Sequence, residues 1–121
     1  MSKRILAIDD QEDNRRILRD LLAAVDYEVI EAMDGEAAVA QAESHVPDLI
    51  LMDIQLPGID GYEATRRIKA NPTLAHIPVI AVTSYALTGD EEKAIEAGCD
   101  AYIAKPYSPR ALLAKVREFL K

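Results

Sequence analysis

The chain has 121 residues, of which 50% are hydrophobic and 29% charged, and its formal net charge is −7 at pH 7. This length and composition predict one globular domain that spans residues 1–121. The acidic charge disfavours direct binding to nucleic acids and to anionic membrane surfaces. No apolar run is long enough for a membrane span, and the first one ends at Ile8, too early for an export signal, so we expect a cytoplasmic location.

Taken in chain order, the predicted elements alternate between strand and helix. Four short apolar runs, at 5–8, 49–52, 79–82 and, more weakly, 101–104, are typical of strands buried on both faces. A fifth run at 28–31 has an apolar centre between two glutamates, which indicates a strand at the edge of a sheet.

Helical patterns fill the intervals between these runs. Two apolar faces with a period of 3.6 residues consist of Ile17, Leu18, Leu21, Leu22 and Val25, and of Leu112, Leu113, Val116, Phe119 and Leu120. Ser108-Pro109 and the capping box at 88–91 mark helix starts, and less regular helices are expected at 36–45 and 62–70. This order predicts an α/β fold with a doubly wound, five-stranded parallel sheet and helices on both faces.

Polar side chains follow every predicted strand except the edge strand, and they are Asp9 with Asp10, Asp53, Thr83 and Lys105. Because ligands of such folds bind outside the carboxyl ends of the strands, we expect these residues to converge on one site. Carboxylates drawn together repel one another unless a cation joins them, and hard oxygen ligands favour Mg²⁺ or Mn²⁺. With a lysine and a hydroxyl alongside, the site can hold a phosphoryl group, and we interpret Asp53 as its acceptor.

Each of these residues has a simpler explanation when it is taken alone. Asp9 and Asp10 can cap the first helix, and Asp53 can be a turn residue ahead of the segment 56–58. The other candidates for chemistry are weaker. We interpret Cys99 as a packing residue and His45 and His76 as solvated side chains. A zinc site therefore has no support.

The acidic pair, the segment 47–53, the loop 56–61, Thr83 and Lys105-Pro106 together resemble the motifs of response regulator receiver domains of two-component signalling. The resemblance covers essentially the whole chain and implies a flavodoxin-like sheet of strand order 2-1-3-4-5. It also implies a phosphorelay switch, and not an enzyme with other substrates, that receives its phosphoryl group from a histidine kinase or a histidine phosphotransfer protein.

The resemblance further implies a role for each site residue. The Mg²⁺ ligands that it implies are Asp10, Asp53, the backbone carbonyl of Gln55 and, through a water molecule, Asp9. Thr83 and Lys105 would contact the phosphoryl oxygens. Tyr102 would be the switch aromatic that moves inward when the Thr83 hydroxyl is drawn toward the phosphoryl group, or else a buried strand tyrosine. Gln55 and Tyr85 would tune the lifetime of the phosphorylated state.

The resemblance also suggests two surfaces for partners. The phosphodonor protein is expected at the helix face with Asn14, Arg15 and Leu18, and the output surface at Tyr85, Leu87 and Tyr107. The downstream partner and any phosphorylation-dependent homodimer stay open. Because no output domain follows in this sequence, we expect a single-domain regulator similar to those of cell-cycle control, or else a receiver from a larger kinase, cyclase or transcription regulator.

Two alternatives belong to other classes. Phosphatases of the haloacid dehalogenase type also use an aspartate nucleophile with magnesium, but they need a second aspartate where this chain has Gln55. A flavin carrier would share the fold class, but no phosphate-binding loop rich in Gly, Ser or Thr follows the first strand.

Overall fold

The computed structural model describes residues 3–83 and 90–120, in which strands and helices alternate. The strands are β1 (Arg4–Ile8), β2 (Glu28–Ala32), β3 (Leu49–Asp53), β4 (Val79–Thr83) and β5 (Ala101–Ala104). The helices are α1 (Glu12–Ala23), α2 (Gly35–His45), α3 (Gly61–Ala70), α4 (Asp90–Ala97) and α5 (Pro109–Phe119). The predicted order of elements is confirmed.

The five strands form one parallel sheet in the order β2-β1-β3-β4-β5. The order reverses between β1 and β3, which pair with each other in parallel. In sheets of this kind the crevice outside the carboxyl ends of such strands is where ligands bind. Asp9 directly follows β1 and Asp53 ends β3, so both acids lie beside this crevice. The predicted strand order and the edge position of β2 are confirmed.

Two apolar cores lie on the two faces of the sheet. Along β1, Leu6 and Ile8 pack into the core shared with α2, α3 and α4, whereas Ile5 and Ala7 pack into the core shared with α1 and α5. All residues of β3 and β4 are buried. The prediction that 101–104 is buried on both faces is wrong, because β5 is the other edge of the sheet and its four residues are half-buried.

The buried face of α1 differs from the predicted one. Leu18 and Leu22 are buried as expected, but Ile17 is 55% exposed and Arg15 is buried in its place. Arg15, Leu18 and Leu22 are spaced i, i+3 and i+7, which puts them on one stripe that faces the sheet. Ile17 lies about 100° around the helix from Leu18 and therefore at the side of that stripe. Val25 follows the end of the helix.

Side-chain caps define several helix starts. The hydroxyl of Ser108 accepts a hydrogen bond from the N–H of Ala111 at 3.0 Å, and Pro109 is the first residue of α5, as the sequence predicts. Asp34 and Asp60 cap α2 and α3 in the same way. Thr88 and Gly89 of the predicted capping box lie outside the described residues.

Val46 ends α2 with φ 43° and ψ 67°, in a left-handed conformation that β-branched residues rarely adopt. Its side chain is 42% exposed, so a substitution does not disturb either core. We expect Val46→Asn to raise the free energy of unfolding by about 1 kcal/mol, because asparagine adopts this conformation more readily. Urea unfolding would measure the change. Val46→Thr keeps the branch at Cβ as a matched control, and an equal gain with threonine would contradict this explanation.

Candidate functional site

The structure brings the polar residues that follow the strands to one edge of the sheet. Carboxylate oxygens of Asp9, Asp10 and Asp53 lie within 4.8 Å of one another. The ammonium group of Lys105 lies 3.1 Å from Asp9 Oδ2 and 3.3 Å from Asp53 Oδ2. Thr83 is joined to the same edge by its carbonyl, which accepts a hydrogen bond from the N–H of Lys105 at 2.7 Å. The three carboxylates and the ammonium group of Lys105 therefore lie together, and Thr83 is the strand end next to Lys105.

Asp53 is a buried carboxylate that the fold holds at both oxygens. It is 4% exposed, its Oδ1 accepts a hydrogen bond from the N–H of Gln55 at 3.0 Å, and its Oδ2 faces Lys105. Burial raises the pKa of the Asp53 carboxyl above its ordinary value, although the N–H of Gln55 and the charge of Lys105 act in the opposite direction. The negative charge of Asp9 raises this pKa further. Extra positive charge at the site would therefore favour the ionised, nucleophilic form.

Asp9 is held even more firmly than Asp53. It is 2% exposed, and its Oδ1 accepts hydrogen bonds from the N–H of Gln11 at 2.9 Å and from Asn14 Nδ2 at 3.4 Å. The residue at the N-cap position of α1 is Gln11. Asp9 therefore bonds to the N–H of the residue before the helix and, among the described residues, to no N–H of the first turn, so it is not the helix cap of the simpler explanation. Its second oxygen binds Lys105.

Lys105 is the positively charged member of the site. Burial alone would lower the pKa of its ammonium group, but attraction to Asp53 and Asp9 outweighs burial and raises that pKa above its ordinary value. The side chain therefore stays charged at neutral pH. Its position between the two buried carboxylates lets it attract any anion that reaches the crevice.

The three carboxylates fit a hard divalent cation. Asp10 is exposed and Asp9 and Asp53 are buried, so the cluster opens to solvent on one side. One lysine does not neutralise three carboxylates, so the cluster keeps an excess negative charge that a bound cation would neutralise. Only oxygen ligands are present in the cluster, and this donor set suits Mg²⁺ or Mn²⁺ better than zinc or copper.

Of the predicted switch and tuning residues, Gln55 directly contacts one of the acids. Gln55 is half-buried and contacts Asp53 through its N–H. Tyr102 is half-buried and packs against the core on the side of α4. Tyr85 and Leu87 lie outside the described residues. Tyr107 is half-buried beside the site, and burial raises the pKa of its hydroxyl group.

A cleft of about 920 Å³ opens beside the acids, between α1 and the segment after β5. Its lining includes Asn14, Leu18 and the exposed Ile17. The prediction that Arg15 belongs to the same docking face is wrong. Arg15 is buried, and its guanidinium group donates a hydrogen bond to the backbone carbonyl of Asp9. Because its guanidinium group pairs with Glu12 and Glu31, the charge of Arg15 is already matched within the chain.

The two histidines and the cysteine, for which the sequence predicts no chemical role, lie outside the cluster of three acids. His45 and His76 are both exposed, as expected of solvated residues. Cys99 is 8% exposed and packs in the core, 3.8 Å from the hydroxyl of Thr65, and burial raises the pKa of its thiol. Within residues 3–83 and 90–120, no helix has the length and apolar character to cross a membrane.

Comparisons with known proteins agree with this geometry. The family model described as the response regulator receiver domain matches residues 5–117. The polar-differentiation response regulator DivK of Brucella ovis is 45% identical over 120 residues, which cover 99% of this chain and 98% of that protein.

Solved structures superpose closely on this chain. The receiver domain of the sensor histidine kinase PA1611 from Pseudomonas aeruginosa, described with a magnesium ion coordinated in the active site cleft, gives a TM-score of 0.92 at 37% identity over 99% of this chain and 98% of its own. The chemotaxis protein CheY4 of Vibrio cholerae gives a TM-score of 0.93 at 24% identity over 98% and 99% of the two chains, and this likeness concerns the fold alone.

Proposed function

The chain belongs to the response regulator receiver domain family of two-component signalling, and on this premise we propose that Asp53 is the phosphoryl acceptor of a phosphorylation-activated switch. The position of Asp53 carries the proposal. It is a buried carboxylate at the end of a central strand, 3.3 Å from a charged lysine and within 4.8 Å of two further carboxylates. A flavin carrier has no use for such a cluster, and Gln55 stands where the phosphatase alternative needs an acid.

We propose that the acidic cluster binds Mg²⁺, with Mn²⁺ as the alternative ion. Asp10, Asp53 and the backbone carbonyl of Gln55 would hold the ion directly, and Asp9 would hold it through a water molecule. When bound, the ion supplies positive charge that offsets the negative charge of the phosphoryl oxygens. The oxygen-only donor set and the unbalanced carboxylates support this proposal.

The donor in this proposal is the phosphohistidine of a kinase or phosphotransfer protein. An Asp53 oxygen forms a bond to phosphorus while the bond between phosphorus and the histidine nitrogen breaks, and the imidazole keeps the electron pair and takes up a proton. Lys105 attracts the phosphoryl oxygens, because Asp9 and Asp53 keep it charged. The product is an acyl phosphate on Asp53, so in this proposal the protein is itself the substrate, of its own phosphorylation and of its later dephosphorylation.

Phosphorylation replaces one negative charge by about two and adds acceptor oxygens. The hydroxyl of Thr83 would move toward these oxygens to donate a hydrogen bond. Thr83 is 1% exposed at the end of β4 and pairs with Ala104 of β5. Tyr102 lies two residues before Ala104, on the same strand, and packs on the side of α4. We propose that Tyr102 turns inward when Thr83 moves, and that this changes the output surface that a downstream protein or a second copy recognises.

The remaining parts of the proposal concern lifetime and context. Gln55 and Tyr85 would control access of water to the acyl phosphate. Among the described residues, Gln55 Nε2 is a buried side-chain nitrogen without a hydrogen-bond partner, which supports a role for Gln55 toward a group that arrives at the site. We also propose that residues 1–121 act as one cytoplasmic domain and that the phosphodonor protein docks at the cleft lined by Asn14, Ile17 and Leu18.

Acetyl phosphate tests the proposal, because this small donor needs no protein partner. With Mg²⁺ present, we expect intact mass spectrometry to detect one phosphoryl group on each chain and peptide mapping to place it at Asp53. A chelator should abolish the uptake, since the carboxylates would then repel the donor. A phosphoryl group mapped to another residue would contradict the acceptor assignment, and uptake that ignores the chelator would contradict the metal site.

A further inference from the structure

We propose that Arg15 is a positioning residue for the cation site, because it fixes the main chain that carries Asp10. The inference rests on the proposed Mg²⁺ site. Arg15 is 7% exposed, and its Nη1 donates a hydrogen bond of 2.7 Å to the backbone carbonyl of Asp9. That carbonyl belongs to the peptide group between Asp9 and Asp10, so the bond sets the orientation of this peptide.

Asp10 depends on its backbone more than the other two acids do. The carboxylates of Asp9 and Asp53 are buried and are held by Lys105 and by backbone N–H groups. Within the part of the chain that the structure describes, the exposed Asp10 carboxylate makes no hydrogen bond or ion pair. Its direction toward the other acids therefore follows from the geometry of the Asp9–Asp10 peptide, and Arg15 holds that peptide from the protein side.

The fold in turn holds Arg15 in place. Its Nη2 pairs with Glu12, one turn earlier in α1, and its Nε pairs with Glu31 of β2 at 3.3 Å. The other oxygen of Glu31 pairs with Arg19 at 2.9 Å. The two carboxylates balance the two guanidinium groups, so Arg15 orients the acidic pair without adding a net positive charge that would repel a cation.

The guanidinium group suits this task better than an ammonium group. Each of its three nitrogens binds a different partner, namely the Asp9 carbonyl, Glu12 and Glu31. The planar fork of an arginine keeps these directions fixed, whereas a lysine offers one nitrogen at the end of a flexible chain. We therefore expect that lysine at this position supports the site less well than arginine and better than methionine.

Isothermal titration calorimetry with Mg²⁺ tests the inference without a phosphodonor. For Arg15→Met we expect the Kd for Mg²⁺ to rise about tenfold, which is the usual loss when a residue that supports a metal ligand is removed. Arg19→Met is the matched control, because Arg19 binds the same Glu31 but does not contact Asp9. Its Kd for Mg²⁺ should equal that of the wild type.

The rate of uptake from acetyl phosphate gives a second readout that a loss of stability would not produce. The Mg²⁺ concentration for half-maximal uptake should rise about tenfold in Arg15→Met. The maximal rate at saturating Mg²⁺ should stay that of the wild type, because Asp53 and Lys105 are unchanged. Both measurements are made at a temperature at which circular dichroism shows each variant folded, and Arg15→Lys replaces Arg15→Met if the latter does not fold.

Two outcomes would overturn the inference alone. One is a wild-type Kd in the Arg15 variant, and the other is an equal loss of Mg²⁺ affinity in Arg15→Met and Arg19→Met, which would assign the effect to Glu31 and not to the Asp9 carbonyl. If the wild-type protein itself binds no Mg²⁺, the proposed metal site fails, and the inference fails with it.

Discussion

Asp53→Asn is expected to abolish phosphoryl uptake and, at the same time, to make the unphosphorylated protein more stable. The amide has nearly the shape of the carboxylate, and its oxygen can still accept the hydrogen bond from the N–H of Gln55. It lacks the anionic oxygen that bonds to phosphorus, so intact mass spectrometry with acetyl phosphate and Mg²⁺ should detect no phosphoryl group. Uptake equal to that of the wild type would overturn the acceptor assignment.

The gain in stability follows from the raised pKa of Asp53. Burial, the main cause, raises this pKa above the ordinary value of 3.8 even though Lys105 attracts the carboxylate. The protonated form is favoured in the folded state, so this contribution to stability is present below pH 3.8 and is lost as the pH rises through the raised pKa. At pH 7 without Mg²⁺, we therefore expect Asp53→Asn to have a higher free energy of unfolding in urea than the wild type.

The pH dependence distinguishes this explanation from a general effect of the amide. The gain should disappear in acid, where the wild-type carboxyl is protonated in both states. Mg²⁺ should also reduce the difference, since it would stabilise only the chain that binds it. Asp13→Asn is a control, because Asp13 is an exposed aspartate that pairs with Arg16 on the surface. It should keep full uptake and gain no stability, and an equal gain in this control would contradict the argument.

The sheet and the centre of the site could be predicted because both follow from local patterns. The buried runs of β3 and β4 are apolar throughout, and the residue where each run stops is the residue that the parallel topology brings to the crevice. Asp53 and Thr83 were therefore visible as strand ends. The edge character of β2 was equally visible, because its glutamates interrupt the apolar pattern.

The burial of Arg15 could not be predicted in this way. A charged residue on a helix is usually exposed, so the sequence assigns Ile17 and not Arg15 to the buried face of α1. In the structure Arg15 is buried beside Leu18, and Ile17 is exposed. The buried guanidinium group is paired with Glu31, which is 16 residues away in the sequence and lies beside Arg15 only because α1 packs against β2. One sequence signal was available: Arg15 shares the i, i+3, i+7 stripe of Leu18 and Leu22.

Gly61 was likewise visible only as a member of a turn sequence. In the structure it is the first residue of α3, and its N–H donates a hydrogen bond of 3.0 Å to the carbonyl of Ile54. A Cβ atom at this position would overlap with the backbone carbonyl oxygen of Asp53 and would lie 2.7 Å from Ile54 Cα. The helix therefore approaches the acceptor strand as closely as a residue without a side chain allows.

Gly61→Ala should consequently lower both the stability and the rate of phosphoryl uptake. Neither the Asp53 carbonyl nor Ile54 Cα can rotate away, so the helix or the end of β3 has to move. Overpacking of this kind costs about 3 kcal/mol when the backbone has to shift. The free energy of unfolding in urea measures the first effect. The uptake rate from acetyl phosphate, expressed per folded molecule, measures the displacement of Asp53 and should fall as well.

Gly58→Ala separates the effect of crowding from the effect of replacing a loop glycine. Gly58 has φ 76°, and a Cβ atom there would meet nothing within 4 Å. Alanine in this left-handed conformation costs about 1 kcal/mol but leaves the end of β3 in place, so the uptake rate per folded molecule should stay that of the wild type. Gly61→Ala should therefore lower both the stability and the uptake rate, whereas Gly58→Ala should lower only the stability, and by less. If Gly61→Ala lowers stability no more than Gly58→Ala does and keeps full uptake, the close approach of α3 does not position Asp53.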